Sequence, residues 1–225
     1  VYAGVEGQLK NFIHWDATGD YVFLGDQMND LSVKANARFD IYPFRRARKS
    51  PVSLDVHFDT SLEEPEYYHQ HYYSNHFKWD NDFGKISTTR IQGSLSVPRW
   101  KIGARVGYAL LSGNIYYDST GVVRQNNTPM SVLSASLDKN FVLGPVHLDN
   151  RILFQLSSNE DVLPLPTLAL NSRLYLQLNV KKNIMQMQIG AEGWYNTKFY
   201  SPAWNPAVGA FCNQKEEKYS NGPVI

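Results

Sequence analysis

The sequence predicts an all-β protein, an antiparallel up-and-down transmembrane β-barrel with about nine to ten long strands. Apolar and polar residues alternate over long stretches, and helical periodicity is almost absent. The connections between these stretches are alternately short and long along the chain. Mean hydropathy is −0.39, and the chain has no unbroken apolar stretch near the roughly 18 residues that a spanning helix requires. A barrel is compatible with this average, because its lipid-facing residues occupy every second position.

Alternation begins at the first residue. Residues 1–13 place Val, Ala, Gly and Leu at odd positions, with Tyr2 and Phe12 as apolar exceptions, and residues 31–42 show the clearest pattern in the chain. Because successive strand side chains point to opposite faces, each stretch predicts one strand with an apolar and a polar face. The remaining predicted strands are residues 52–59, 90–97, 101–111, 133–138, 146–156, 168–181 and 185–196.

Strand length and loop length both favour a membrane barrel. Many stretches reach about 10–13 residues, whereas soluble strands usually have about 5–6 and membrane-barrel strands about 9–11. An outer-membrane barrel has short periplasmic turns and longer extracellular loops, which is the pattern found here. The short connections are residues 43–51, 98–100, 144–145 and 181–183, and the long ones are residues 14–30, 61–87, 112–128, 157–167 and 197–221. No linker divides the chain, so we predict one domain over residues 1–225.

In a barrel, the apolar positions face lipid and the charged positions face the lumen. An Arg or Lys on the lipid face near the bilayer midplane costs roughly 2–4 kcal/mol, so the charged positions are assigned to the interior. A soluble sandwich with a solvated polar face would show the same alternation, and it remains the alternative. The predicted lumen-lining residues are Glu6, Lys10, Lys34, Arg38, Asp40, Asp55, Arg90, Arg105, Asp138, Asp149, Arg151, Arg173 and Glu192.

Composition excludes several classes of function. Cys212 is the single cysteine, so an intramolecular disulfide and a cysteine-ligated metal cluster are both impossible. The charge of +1, from 22 Lys+Arg against 21 Asp+Glu, makes nucleic acid an unexpected partner. No Gly-rich phosphate loop is found, and we expect no cofactor.

Three local motifs have an alternative, less specific explanation. Residues 67–79 contain three histidines among many aromatic residues, and we expect His69 and His71 to lie on one face of an extended segment with His76 nearby. This suggests either a histidine metal site or, as we favour, an aromatic loop at the membrane interface. Residues 55–59 place two carboxylates and an imidazole on one strand face, but without an identifiable nucleophile. The basic run 45–49 is explained by a solvated turn between two prolines. We therefore expect no catalytic residues and no metal site.

Two stretches resemble a known family. Residues 190–211 and 73–83 are similar to a late strand with its outer loop, and to another loop, of the putative porins of Bacteroidetes outer membranes. The resemblance implies an outer-membrane β-barrel that acts as a porin, with no catalytic residues to carry over. In residues 190–211 the matching positions are Asn196-Thr197, Phe199-Tyr200, Pro202, Pro206-Ala207, Gly209 and Phe211.

The two ends of the sequence led us to expect an incomplete barrel. The chain begins without a leader and stops at Gly222-Pro223-Val224-Ile225, where a further strand would begin. A section of a barrel would leave two unpaired edges, so we expect the N-terminal and C-terminal strands to be missing.

These observations predict a Gram-negative outer-membrane porin that passes small polar solutes by passive diffusion, without chemistry on the solute. Its expected partners are outer-membrane lipid and small polar solutes, and the sequence does not indicate an oligomeric state. Two alternatives stay open. One is a non-conducting adhesion or structural barrel in the same membrane, and the other is a secreted, soluble β-sandwich that binds carbohydrate through its aromatic loops.

Overall fold

The computed structural model describes residues 1–43, 50–181 and 184–221. Strands account for most of these residues, and helix is limited to the single turn α1 (Tyr67–Gln70) and a 3₁₀ turn at Pro98–Trp100. The strands in chain order are β1 (Tyr2–Leu9), β2 (Ile13–Tyr21), β3 (Leu31–Ile41), β4 (Val52–Glu63), β5 (His71–Tyr73), β6 (Lys78–Asp80), β7 (Ile86–Val97), β8 (Ile102–Ser112), β9 (Asn114–Tyr117), β10 (Val123–Asn126), β11 (Met130–Leu143), β12 (Val146–Ser157), β13 (Leu168–Lys181), β14 (Met185–Asn196), β15 (Ala203–Asn205) and β16 (Ala210–Cys212).

Ten of these strands form one antiparallel sheet. Its order is β1-β2-β3-β4-β7-β8-β11-β12-β13-β14, so every strand pairs with the preceding and following long strands of the chain. Strands β1 and β14 are the two edges of this sheet, which does not close into a barrel in the described residues. The all-β class and the up-and-down antiparallel arrangement are confirmed, and the open sheet agrees with the expected incomplete barrel.

The first predicted strand and loop have different boundaries in the structure. The chain turns at residues 10–12, and residues 13–21 return as β2 beside β1. The predicted long loop 14–30 is therefore wrong over its first half, and the connection between β2 and β3 covers residues 22–30. The turn was missed because Lys10 adopts a left-handed conformation, with φ of 51°, at a position without Gly or Pro.

The remaining connections follow the predicted rhythm. Five connections lie at one end of the sheet, here called the short-turn end. Residues 10–12, 98–101 and 144–145 form turns there, and the connections from β3 to β4 and from β13 to β14 lie at the same end, although the β3–β4 connection, residues 42–51, is no shorter than the β2–β3 connection. The long connections lie at the other end. Three of them contain a small antiparallel hairpin, formed by β5 with β6, β9 with β10, and β15 with β16.

Strand register produces two continuous faces. The apolar face carries a row from Leu9 on β1 to Tyr195 on β14, and most of its large side chains are exposed, including Leu54 at 41% and Leu137 at 45%. The opposite, polar face carries charged and hydroxyl side chains. The apolar row comprises Leu9, Ile13, Phe39, Leu54, Leu95, Ala104, Leu137, Ile152, Leu170 and Tyr195.

The buried apolar side chains lie at the long-loop end. Four of them belong to the connections themselves, and the fifth, Met130, begins β11. No helix in the described ranges is long and apolar enough to cross a membrane. The buried apolar residues are Trp79, Val123, Met130, Val162 and Cys212.

Candidate functional site: the polar wall and the loop cap

The polar face of the ten-stranded sheet, here called the polar wall, holds nearly all the side chains predicted to line a lumen. Twelve of the thirteen predicted residues alternate onto this face, and Lys10 does not, because it lies in the turn between β1 and β2. Whether the wall encloses a lumen stays a prediction. The twelve are Glu6, Lys34, Arg38, Asp40, Asp55, Arg90, Arg105, Asp138, Asp149, Arg151, Arg173 and Glu192.

Cross-strand ion pairs organise the wall. On β3, the Arg38 Nε atom lies 3.1 Å from the carboxylate of Asp40 and 3.8 Å from that of Asp55 on β4. Ser53 donates its hydroxyl proton to Asp40 at 2.5 Å and accepts a hydrogen bond from Arg38 at 3.1 Å. Asp40 and Ser53 are buried, so this small network holds Arg38 in one position on the wall.

The carboxylate–imidazole motif of β4 belongs to a second network. Arg90 on β7 pairs with Asp59 at 2.7 Å, and the His57 Nε2 atom lies 3.2 Å from the same carboxylate. The other ring nitrogen of His57 contacts Asn36, which donates to Asp16 at 2.7 Å. Arg90 and His57 therefore share the Asp59 carboxylate, an arrangement typical of a hydrogen-bonded network that stabilises a charged surface.

A third network lies closer to the short turns. Asp138 on β11 is shared by Arg151 at 2.5 Å and Arg105 at 3.4 Å. Arg173 on β13 pairs with Asp149 on β12 at 2.9 Å. These side chains line an open groove of about 650 Å³ on the polar wall. Its guanidinium groups and carboxylates alternate across four neighbouring strands, so the groove presents both signs of charge to whatever enters it.

The long connections pack against one another and form a cap. Lys85 contacts Asp30 and Glu64, and so joins the β2–β3 connection to the β4–β7 connection. Gln125 donates to the carbonyl oxygens of Gly84 and Gly113, which ties the β4–β7 connection to the β8–β11 connection.

Asn213 closes the same chain of contacts. Its side chain donates to the carbonyls of Asp161 and Val162 at 2.8 and 2.9 Å, and its backbone N–H donates to Tyr117 at 2.8 Å. Three polar residues, Lys85, Gln125 and Asn213, thus interlock all five long-connection segments.

The cap has an aromatic core. Trp79 is 7% exposed, stacks on Tyr72 with ring centroids 4.5 Å apart and meets the edge of Tyr117 at 6.2 Å. At the strand end below the cap, Met130 belongs to the polar wall by alternation, yet it is only 2% exposed. Because the wall is covered at this end, we infer that the cap folds over the polar side of the sheet.

The histidine-rich segment is part of this cap. The prediction that His69 and His71 share one face of an extended segment is wrong, because residues 67–70 form the turn α1 and β5 begins at His71. His71 bonds Asp80 at 2.5 Å, His69 meets the edge of Tyr117, and His76 is exposed. In the part of the chain that the structure describes, no three His, Cys, Asp or Glu side chains are grouped to hold a metal ion. The basic run 45–49 lies outside the described residues.

Several titratable groups of the cap have shifted pKa values, and Asp118 and Cys212 are two of them. Burial raises the pKa of the Asp118 carboxyl, but hydrogen bonds from Thr120, Arg124 and two backbone N–H groups outweigh burial and leave the pKa below its ordinary value. Burial raises the pKa of the Cys212 thiol, which disfavours the reactive thiolate form.

The sequence matches the family model described as a putative porin over residues 1–225. The chain belongs to the putative porin family. No curated protein matches the sequence. For this putative porin, the two-faced antiparallel sheet is the architecture that the family resemblance implied.

Sequence reasoning missed the residues that join the loops. Lys85, Gln125 and Asn213 lie in connections without long-range periodicity, so no pattern indicated their partners. The small hairpins had a weak local signal, since residues 114–117 and 123–126 flank a Gly-containing turn at Gly121.

Proposed function

We propose that the putative porin spans a Gram-negative outer membrane and lets small polar solutes diffuse along its polar wall. One observation carries this proposal: a single ten-stranded sheet has an exposed apolar face and an opposite face organised by ion pairs. Exposed Leu, Ile and Phe side chains are costly in water but suit lipid, and charged side chains suit a hydrated passage. Membership of the putative porin family supports the same conclusion.

Selection among solutes would be steric and electrostatic. The ion-paired side chains of the wall have fixed positions and offer both signs of charge, so a polar solute can exchange water for wall contacts without a large barrier. The cap would limit size at the long-loop end. No step of this function requires a bond to be made or broken, so we propose no enzymatic activity.

Conductance of the refolded full-length protein in planar bilayers tests the proposal. We expect discrete conductance steps, and we expect Lys34→Glu to shift the reversal potential in a salt gradient toward cations, because Lys34 is on the wall and has no ion-pair partner among the described residues. Ala35→Ser, on the opposite face of the same strand, is the matched control and should leave the reversal potential unchanged. A correctly folded protein that shows no conductance would refute the porin proposal.

A non-conducting adhesion or structural barrel is the second candidate, and the interlocked cap favours it. A cap that covers the mouth completely would give a folded membrane protein without conductance. The soluble sandwich lacks structural support, since the long strands of the described chain form one sheet and a sandwich needs two packed sheets.

A further inference from the structure

Lys139 stands on the wrong face for a charged residue. By alternation it belongs to the apolar face of β11, between Leu137 and Phe141. Among the described side chains of the ten long strands, it is the one charged residue on this face. A lysine facing lipid at the bilayer midplane is costly, but the cost falls to about 0–1 kcal/mol near the interface. Lys139 lies four residues before the end of β11, toward the short-turn end.

Aromatic residues surround the lysine. The Lys139 Nζ atom donates to the carbonyl oxygen of Trp100 at 2.5 Å and sits 5.0 Å from the centroid of the Phe141 ring. Trp100 is 57% exposed and Phe141 is 53% exposed, so both rings are open to the surroundings of the apolar face. Trp side chains with an apolar ring and a polar atom concentrate at the headgroup level of membranes. The ammonium group keeps two further protons for another acceptor.

The neighbouring turns have one sign of charge. In the sequence, none of the five connections at the short-turn end contains Asp or Glu, whereas they contain several Lys and Arg residues. Among the described residues, Lys10, Arg99 and Lys101 belong to this set. The long connections show the opposite bias: Asp26, Glu64, Glu66, Asp80 and Asp82 line one cap cavity of about 1020 Å³. The nearly neutral chain is therefore basic at the short-turn end and acidic at the cap.

We propose that Lys139, Trp100 and Phe141 form a binding site for the phosphate headgroup of an anionic phospholipid, in the leaflet at the short-turn end. The ammonium group would bind the phosphate oxygens, and the acyl chains would lie along the exposed Leu137 and Phe141 side chains. Basic residues of the adjacent turns add long-range attraction to an anionic surface. A free phosphate ion would gain the charge contact but none of the apolar contact, so the site favours a lipid.

The inference rests on the membrane location in the proposed function, but not on conduction. The full-length protein is reconstituted in nanodiscs with equal amounts of phosphatidylglycerol and phosphatidylcholine, and the phospholipids retained after mild detergent extraction are counted by mass spectrometry. We expect enrichment of phosphatidylglycerol. Lys139→Gln should lower the enrichment about five-fold, since one Lys near an anionic surface contributes about 1 kcal/mol. Lys139→Arg should preserve it, and Lys34→Gln on the polar wall is the matched control.

Equal enrichment in the native protein and in Lys139→Gln would overturn the lipid site. Phosphate binding that depends on Lys139 in nanodiscs of phosphatidylcholine alone, without any preference for phosphatidylglycerol in the mixed nanodiscs, would assign the site to free phosphate and would also overturn it. A protein that enters nanodiscs and conducts but shows no lipid preference refutes this inference alone. A protein that enters neither nanodiscs nor planar bilayers refutes the membrane location, and with it the proposed function.

Discussion

At the residue scale, neighbouring positions on one strand require side chains of opposite polarity. Leu176 lies on the apolar face of β13 and is 43% exposed, and the next residue, Gln177, belongs to the polar wall and accepts a hydrogen bond from Gln188 at 3.1 Å. Leu176→Arg should reduce the free energy of unfolding in lipid by roughly 1–2 kcal/mol, between the values for the bilayer midplane and the interface, because Leu176 lies on the apolar face five residues before the end of β13. Urea unfolding in vesicles measures this change.

The matched variant for this test is Gln177→Arg, which should unfold at nearly the same urea concentration as the native protein. Val33 on β3 and Met187 on β14 also lie on the apolar face, whereas Ser32 on β3 lies on the polar wall. Val33→Arg and Met187→Arg should therefore destabilise the protein more than Ser32→Arg. Equal loss at both sets of positions would mean that the faces are assigned wrongly.

Asp118 gives a pH-dependent prediction at the same scale. Its carboxylate accepts hydrogen bonds from the Thr120 backbone at 2.9 Å and from Arg124 at 2.8 Å, and its pKa in the folded protein is below the ordinary value. A lowered pKa means that the ionised carboxylate stabilises the fold above the ordinary value and that this stabilisation is lost as the pH falls.

Asp118→Asn should therefore destabilise the β9–β10 hairpin by about 1 kcal/mol at neutral pH. The difference from the native protein should shrink below about pH 4. Limited proteolysis between β9 and β10 at a series of pH values measures it. A difference that grows on acidification would contradict the role given to the carboxylate.

At the element scale, strand pairing leaves room for only a glycine at one point. A Cβ added to Gly190 on β14 would lie 2.4 Å from the backbone oxygen of Leu174 and 2.5 Å from the Tyr175 Cβ atom on β13. Gly190→Ala should therefore force β13 and β14 apart and cost about 1–3 kcal/mol. Gly93→Ala is the control, since nothing lies within 4 Å of its added Cβ. Thermal unfolding of both variants in detergent compares them, and similar midpoints would show that the strand pair can adjust.

The elements differ in how far the sequence predicts them. Strand type and the face of each side chain followed from period-two alternation, because lipid and water sort side chains by polarity along every strand. The turn at Lys10 and strand β2 were missed, although residues 13–21 alternate too, since no Gly or Pro signalled the reversal. Ion-pair partners such as Arg90 and Asp59 could not be predicted, because register depends on pairing across 31 residues of chain.

At the scale of the whole molecule, the cap is a folded layer, with its own buried core, over one end of the sheet. Asn213 is its main polar link, and the neighbouring Cys212 is 5% exposed and is the single cysteine of the chain. Asn213→Ala removes two hydrogen bonds to the β12–β13 connection, one exposed and one part-buried, which weakens the cap by about 1–2 kcal/mol. Cys212 should then react with a thiol reagent about ten-fold faster, because local opening becomes more frequent.

Thiol labelling and single-channel recording of the same variant are read together. If the cap narrows the passage, faster labelling should accompany a larger conductance. Faster labelling with unchanged conductance would place the cap beside the solute path. Gln214→Ala, whose amide bonds stay within residues 201–217, is a control that should leave both measurements close to native.

The order of strands in the sheet has a consequence for how such a protein can change size. Each long strand pairs with the long strands immediately before and after it in the chain, so the order of the strands in the sheet is their order in the sequence. Removing or duplicating one complete hairpin would therefore preserve every remaining pairing and keep each side chain on its own face. Removing a single strand would instead reverse the chain direction of all later strands. Sequence insertions and deletions in this fold should therefore add or remove whole hairpins, and relatives should differ in strand number by multiples of two.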